Sequence, residues 1–313
     1  MADFYHDIYN KEIKERFLDS INLEQYPVRW WERLFEKTYI FEQSKNKDLY
    51  SFTTPEILEF YKFLDVGTLS PLIIYNVNLT TYAQWALNEN LILDGQNHFD
   101  ILTNDILMTC VNKAKLEQSI LSYDYFLDII NDKMVNYQDR FIFFCLWEGI
   151  KGKDYEDIVN MKLDDIDEKN RIVALTSGRE TYVSKEFVDI AKAADKQLEY
   201  TGLTDTGHTM LLTPSPTIYK PKSNSRGIDT NRSVYNTILR NIHSIPELST
   251  VVTAKTIRDS GMIYYLNKRA DKLGVSVEEL IYNLENCRDI IEKYGLNIRT
   301  RKRWLLQYSE FIH

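Results

Sequence analysis

The sequence predicts a two-domain, mainly α-helical protein with a small β-hairpin, and three observations carry that prediction. The chain has 313 residues, against about 150 for a typical domain. Most of its apolar residues recur at helical spacing behind capping residues such as Thr53, Ser122 and Ser184. Two short β-rich runs, Arg171–Leu175 and Glu180–Val183, flank Thr176-Ser177-Gly178-Arg179 and read as a hairpin with a cation at its tip.

Residues 1–50 are dense in charge and aromatics. Phe4, Ile8, Ile13, Phe17, Leu18 and Ile21 repeat at roughly helical spacing, Pro27 breaks that helix, and Val28–Phe41 starts another. The aromatics fit two roles: core of a small helical region, or an arm that contacts a second subunit or wraps DNA. Thr53 or Thr54 caps a helix from Pro55 that turns Ile57, Leu58, Phe60, Tyr61 and Leu64 inward. Ser70-Pro71 opens the next helix, and Leu79–Ala86 begins a third that closes near Asn88–Asn90. Thr103 and Ser122 look like further helix starts. A boundary near residues 113–118 divides the chain into domains 1–115 and 116–313.

In the second domain, Phe141–Trp147 is an apolar helix stopped by Gly149. Asp154 is the expected N-cap of the next helix, with Glu156 and Asp157 near its positive end and Ile158 and Met161 inward. After the hairpin, Ser184 caps a helix from Lys185 to about Tyr200 that faces Phe187, Val188, Ile190, Ala191 and Leu198 inward. Leu211-Leu212 is a brief strand. Thr213–Arg232 holds three prolines together with Lys220, Lys222, Arg226 and Arg232. It reads as a loop, either simply solvated or contacting phosphate. Thr253 caps a helix on which Lys255 and Arg258 share one face near the first turn, a geometry suited to phosphate. Arg299–Phe311 forms an amphipathic helix whose basic first half carries Arg299, Arg301, Lys302 and Arg303.

Composition narrows the function classes. The net charge of −8 argues against a simple nucleic-acid binder, but cations clustered in the second half can still form a basic face. No apolar run approaches the ~20 residues of a membrane helix, and the N-terminus lacks the shape of a signal peptide. Cys110, Cys145 and Cys287 are scattered and odd in number, as expected of reduced thiols in a cytoplasmic protein. The five histidines show no ligand spacing, so neither a metal site nor a cofactor is expected.

The helix, turn, helix and cation-tipped hairpin of Phe141–Ser184 resemble the start of the catalytic domain of tyrosine recombinases, the phage integrase family. Glu148-Gly149-Ile150-Lys151 matches the family's threonine-glycine-leucine-arginine motif. Met161–Asp167 matches its entry into the hairpin, and Gly178-Arg179 the turn that presents a lysine. The short helices of residues 47–90 resemble the family's core-binding domain. Thr250–Leu266 is similar to its histidine-x-leucine-arginine-histidine box, with Arg258 on the arginine and Lys255 in place of the histidine. Asn286 falls where a further histidine is expected. The family's nucleophile is a tyrosine in the C-terminal helix, and Tyr308 or Tyr294 matches it by position. The resemblance implies a tyrosine-recombinase-like fold: a helical core-binding domain and an α+β catalytic-type domain.

The altered residues change the expected chemistry. A lysine at position 151 cannot reproduce the two parallel hydrogen bonds of an arginine fork. Arg179, standing where the general acid belongs, essentially never gives up its proton. Removing one such donor typically costs roughly 10²–10³ in rate, and losses within one catalytic unit need not multiply. Yet Lys151, Arg179, Lys255 and Arg258 could still hold a phosphate. This pattern resembles the catalytically degenerate, integrase-like master repressors of SPβ-type temperate phages. The expectation is therefore a sequence-specific repressor that binds double-stranded DNA operators and maintains lysogeny. Its phosphate contacts would come from Lys151, Arg179, Lys220, Lys222, Arg226, Arg232, Lys255, Arg258, Arg299, Arg301, Lys302 and Arg303. An antirepressor protein and oligomerisation on DNA are compatible with that role, and a membrane is not. The alternative is an active site-specific recombinase with variant catalytic residues.

Overall fold

The computed structural model describes residues 7–21, 28–203, 207–222, 230–248, 251–297 and 301–311. Phe4, Pro27, Arg226 and Arg299, as well as the side chain of Arg301, lie outside the described residues. The chain divides into two compact units, Met1–Lys113 and Ala114–His313.

The first unit is helical: α1 (Lys11–Ser20), α2 (Val28–Lys45), α3 (Thr54–Phe63), α4 (Leu69–Asn88) and α5 (Asn104–Met108). Its buried aromatics form core. Phe17, Trp31, Phe35 and Tyr82 are buried, with the Phe17 ring 4.8 Å from Trp31 and 4.9 Å from Tyr82 in edge-on contacts. The Glu56 carboxylate accepts from both the Thr53 N–H and its hydroxyl at 2.9 Å, fixing the start of α3. Where two helices were expected over residues 70–90 there is one, α4. No glycine or proline interrupts Leu72–Ala86, and Leu72, Leu79, Tyr82, Ala83 and Ala86 continue a single buried face.

Beneath this core lies a charged cluster. Lys14 on α1 is 1% exposed, and its ammonium donates to Glu42 at 2.6 Å, to Asp48 at 3.3 Å and to the Tyr9 carbonyl at 2.7 Å. The Tyr82 hydroxyl donates to Asp48 at 2.9 Å. Burial pushes Glu42 up to about 7, against the opposing pull of Lys14.

The second unit is built around α8 (Tyr137–Trp147), whose residues from Phe141 to Trp147 are all buried. It is preceded by α6 (Lys113–Ser119, beginning at the unit boundary) and α7 (Tyr123–Asp128). The helices α10 (Lys185–Lys196), α11 (Thr230–Ser244) and α12 (Ala254–Leu273) pack against α8. Between α8 and α10 lie α9 (Glu156–Val159) and the antiparallel sheet β1 (Ile166–Asp167), β2 (Ile172–Ala174) and β3 (Glu180–Tyr182), in the order β1-β2-β3. Val173 pairs with Thr181, and both face the core, while Tyr182 points outward. The buried Asp157 carboxylate accepts from the N–H (2.9 Å) and hydroxyl (3.2 Å) of Ser177, which fixes the hairpin tip. A second hairpin pairs β4 (Glu199–Thr201) with β5 (Thr209–Leu211). Beyond α12 come α13 (Val277–Tyr282), α14 (Leu284–Lys293) and α15 (Arg301–Tyr308).

Four local expectations are corrected. α10 stops at Lys196 rather than near Tyr200. Gln197 turns extended and its side-chain carbonyl takes the Gln138 N–H at 2.8 Å, which leaves Leu198 exposed. Asp154 is not a cap. It sits in the left-handed region at φ 50°, Tyr155 follows at φ 71°, and α9 begins only at Glu156. The brief strand covers Thr209–Leu211, with Leu212 only bridged to Lys222. Arg232 belongs to α11 and not to a loop.

Replacing Lys14 by methionine leaves Glu42 and Asp48 buried side by side, and is expected to cost the first unit ~3–5 kcal/mol in urea unfolding. Because Glu42 is raised above its ordinary 4.5, its contribution to stability is fully present below that value. The contribution is lost as pH rises through about 7. Unfolding measured from about pH 5 to about pH 8 is expected to show this loss in the wild-type chain and not in Glu42→Gln.

Candidate phosphate-binding site

The apolar run of α8 ends in a carboxylate. Glu148 is 0% exposed, and burying its charge requires partners from several elements. Oε2 accepts from Lys293 Nζ at 2.6 Å and from the Tyr265 hydroxyl at 2.7 Å, and Oε1 accepts the Ser184 N–H at 2.9 Å. Lys293 also donates to the Tyr182 carbonyl. Burial pulls the Lys293 ammonium below the usual lysine range, and the neighbouring Glu148 carboxylate opposes that shift. One buried ion pair thus ties the end of α8 to β3, α12 and α14.

Gly149 follows at φ 77°, and it needs to be glycine for space as well as for backbone geometry. A Cβ there would lie 2.7 Å from the Tyr294 ring. Tyr294 fills this corner and donates its hydroxyl to the Trp147 carbonyl at 2.6 Å. A Cβ on Gly261 of α12 would meet that same carbonyl at 2.0 Å.

Around this corner the structure brings two of the expected cations together. Arg179 reaches from the hairpin tip and donates to the carbonyls of Gly149 (3.2 Å), Glu292 (3.0 Å) and Lys293. Arg258, on the first turns of α12, donates to the Tyr294 carbonyl. Both guanidinium pKa values are lowered, chiefly by burial, and for Arg179 also by repulsion from Arg258. Arg258 Nε is buried without a hydrogen-bond partner. Two like charges face each other here, with a donor to spare.

The other expected residues are placed differently. Lys255 is exposed, ion-paired with Asp259 at 2.5 Å and 6.0 Å from the centre of the Tyr308 ring. Lys151 lies 5.0 Å from the Tyr155 ring. Asn286 sits in the first turn of α14, its N–H on the Asn283 side chain. Tyr308 and Tyr294 are both 0% exposed. The Tyr308 hydroxyl donates a hydrogen bond to the Asp259 carboxylate, as the Tyr294 hydroxyl does to the Trp147 carbonyl. Burial, with Asp259 beside one and Glu148 beside the other, raises both phenols well above the ordinary tyrosine value.

Among the expected surface cations, Lys220 is buried at 6% exposure, its ammonium on the Asp195 carbonyl and 3.6 Å from that residue's carboxylate. The phosphate contact expected there does not fit that position. Lys222 covers the Tyr200 ring at 3.6 Å, and burial together with the nearby Arg240 lowers it to about 8. Arg232, Lys302 and Arg303 are exposed. Sequence reasoning gave no role to the side chains of Glu148, Asp259 or Arg240, and it placed Asp157 at a helix start rather than beneath the hairpin tip. A carboxylate closing a fully apolar helix was the available signal for Glu148, because such a group is rarely buried unpaired.

Gly149→Ala is expected to destabilise the chain by about 3 kcal/mol, combining left-handed backbone strain with overpacking against Tyr294. A urea-melt difference below ~1 kcal/mol would show that the corner is not held as described.

A family model described as the MrpR C-terminal catalytic domain matches residues 121–312, and one described as the MrpR N-terminal core-binding domain matches residues 8–88. The chain is 25% identical over 319 residues to the SPbeta prophage-derived uncharacterized protein YopR of Bacillus subtilis (strain 168), covering 98% of this chain and 94% of that protein. Among solved structures, the Tn1549 transposon integrase in complex with circular intermediate DNA is 14% identical, with 95% of each chain covered and a TM-score of 0.46. XerA recombinase is 15% identical, with 94% of this chain and 92% of that one covered and a TM-score of 0.41. The chain belongs to the MrpR family, and its two matched regions are that family's N-terminal core-binding domain and C-terminal catalytic domain.

Proposed function

We propose that this protein is a sequence-specific, duplex-DNA-binding transcriptional repressor that maintains the lysogeny of a temperate phage, built on a recombinase fold that no longer cuts DNA. The observation that carries this reading is the split fate of the old pocket. Arg179 and Arg258 remain together as a bidentate-capable pair, while both candidate tyrosines are buried with their hydroxyls committed. Arginine forks suit phosphate oxygens and hold them without proton transfer. A phenol that is 0% exposed, with its pKa raised, is a poor nucleophile toward a phosphate on an incoming duplex. The prophage origin of its relative YopR fits the same role.

Arg232, Lys302 and Arg303 add exposed positive charge in the second unit, and we assign them supporting contacts to the DNA backbone. Such contacts position a protein on DNA, while operator choice rests on groups that read base edges.

Two measurements on one preparation test this reading. A footprint across the phage genome is expected to fall at promoters, with affinity dropping about 10³-fold or more between roughly 50 and 200 mM salt if some six phosphates are contacted. A nicked suicide duplex carrying the footprinted site is expected to give no covalent adduct. An adduct abolished by Tyr308→Phe or Tyr294→Phe would identify an active recombinase instead. Absence of any salt-sensitive DNA complex would remove both readings.

A further inference from the structure

The arginine pair already has an occupant. α14 ends in a paired reverse turn: the Leu296 N–H bonds to the Ile291 carbonyl at 2.9 Å, and the Gly295 N–H to the Glu292 carbonyl at 3.1 Å, with Gly295 at φ 55°. That turn uses up the two N–H groups following the helix and provides none for the Lys293 and Tyr294 carbonyls. Arg179 donates to Lys293 and shares Glu292, and Arg258 donates to Tyr294. Both guanidiniums therefore rest on three successive carbonyls at the negative end of one helix. A helix C-terminus is equivalent to about half a negative charge, so it can stand in for an anion.

We propose that the C-terminal turn of α14, Glu292–Tyr294, is an internal occupant of the arginine pair that a DNA backbone phosphate displaces, so that gripping DNA opens this turn. The identity of the incoming anion rests on the repressor reading above; the internal occupancy does not. A phosphate carries full charge where the helix end carries about half a charge, and its paired oxygens match the arginine forks, so the exchange favours the ligand. The buried, partnerless Arg258 Nε gains an acceptor in the exchange, and the mutual repulsion of Arg179 and Arg258 is relieved by an anion between them. The opening stays local. Lys293 is held from the other side by Glu148, and the Tyr294 hydroxyl by Trp147. What moves is the Gly295–Leu296 turn, with the carbonyls that precede it.

The test is amide hydrogen exchange on the full chain, with and without saturating sheared duplex DNA at low salt. The Gly295 and Leu296 amides are expected to exchange at least about tenfold faster with DNA bound, because their hydrogen bonds are those of the displaced turn. A second arm uses Gly295→Ala, which strains the left-handed position and loosens the occupant; its Cβ would lie 3.8 Å from the Arg179 guanidinium, an ordinary van der Waals contact that leaves both arginines in place. It is expected to bind duplex DNA roughly two- to fivefold more tightly despite a less stable fold. If DNA binds while those amides are unchanged, or if Gly295→Ala binds no better than wild type, the arginines are helix caps only. The proposal then fails while the DNA-binding reading survives. If the wild-type chain binds no duplex at all, both fail together.

Discussion

The pairing of Glu148 with Lys293 is the constraint on which the second unit's pocket depends. A buried carboxylate at the end of an apolar helix is tolerable only with donors from neighbouring elements, and Lys293, Tyr265 and the Ser184 amide supply them. Those donors belong to α14, α12 and the start of α10. The ion pair therefore fixes how the hairpin, α12 and the C-terminal helices surround Gly149. Arg179 and Arg258 project from two of these elements into the corner thus formed. Their convergence follows from the packing beneath them rather than from attraction, since they repel one another.

The same corner separates binding from cleavage. Holding a phosphate requires directed positive charge, which survives changes of residue type so long as donors remain. Breaking a phosphodiester requires in addition a proton donor of suitable pKa and an exposed nucleophile. An arginine at position 179 supplies the first and not the second. Tyr294 and Tyr308 are packed in the interior, their rings filling space beneath Gly149 and beside Lys255 and their hydroxyls satisfying Trp147 and Asp259.

Much of the frame was legible in the sequence because it is encoded locally. The capping residues Thr53, Ser122, Ser184 and Thr253, the apolar Phe141–Trp147 run and the hairpin around Gly178 each carry their signal within a few residues. The misread parts were decided at a distance. α10 ends early because the Gln197 side chain is claimed by Gln138 and Asn136, far away in sequence. Lys220 looked like a loop cation, yet its ammonium is drawn into the interior by Asp195. Asp154 had the chemistry of a cap, but Asp154 and Tyr155 adopt left-handed backbone instead. In the site, the proximity of Arg179 and Arg258 followed from their motif positions. The carbonyls they rest on could not be read, because backbone acceptors leave no mark in side-chain identity.

In the proposed binding mode Arg179 and Arg258 serve one phosphate. A double-mutant cycle measures it most directly: duplex affinity for wild type, Arg179→Ala, Arg258→Ala and the double variant at fixed salt. Two donors on a shared anion predict strong non-additivity, with a coupling energy of about 1 kcal/mol or more. Losses that add within ~0.3 kcal/mol would place the two arginines on separate partners and contradict the account.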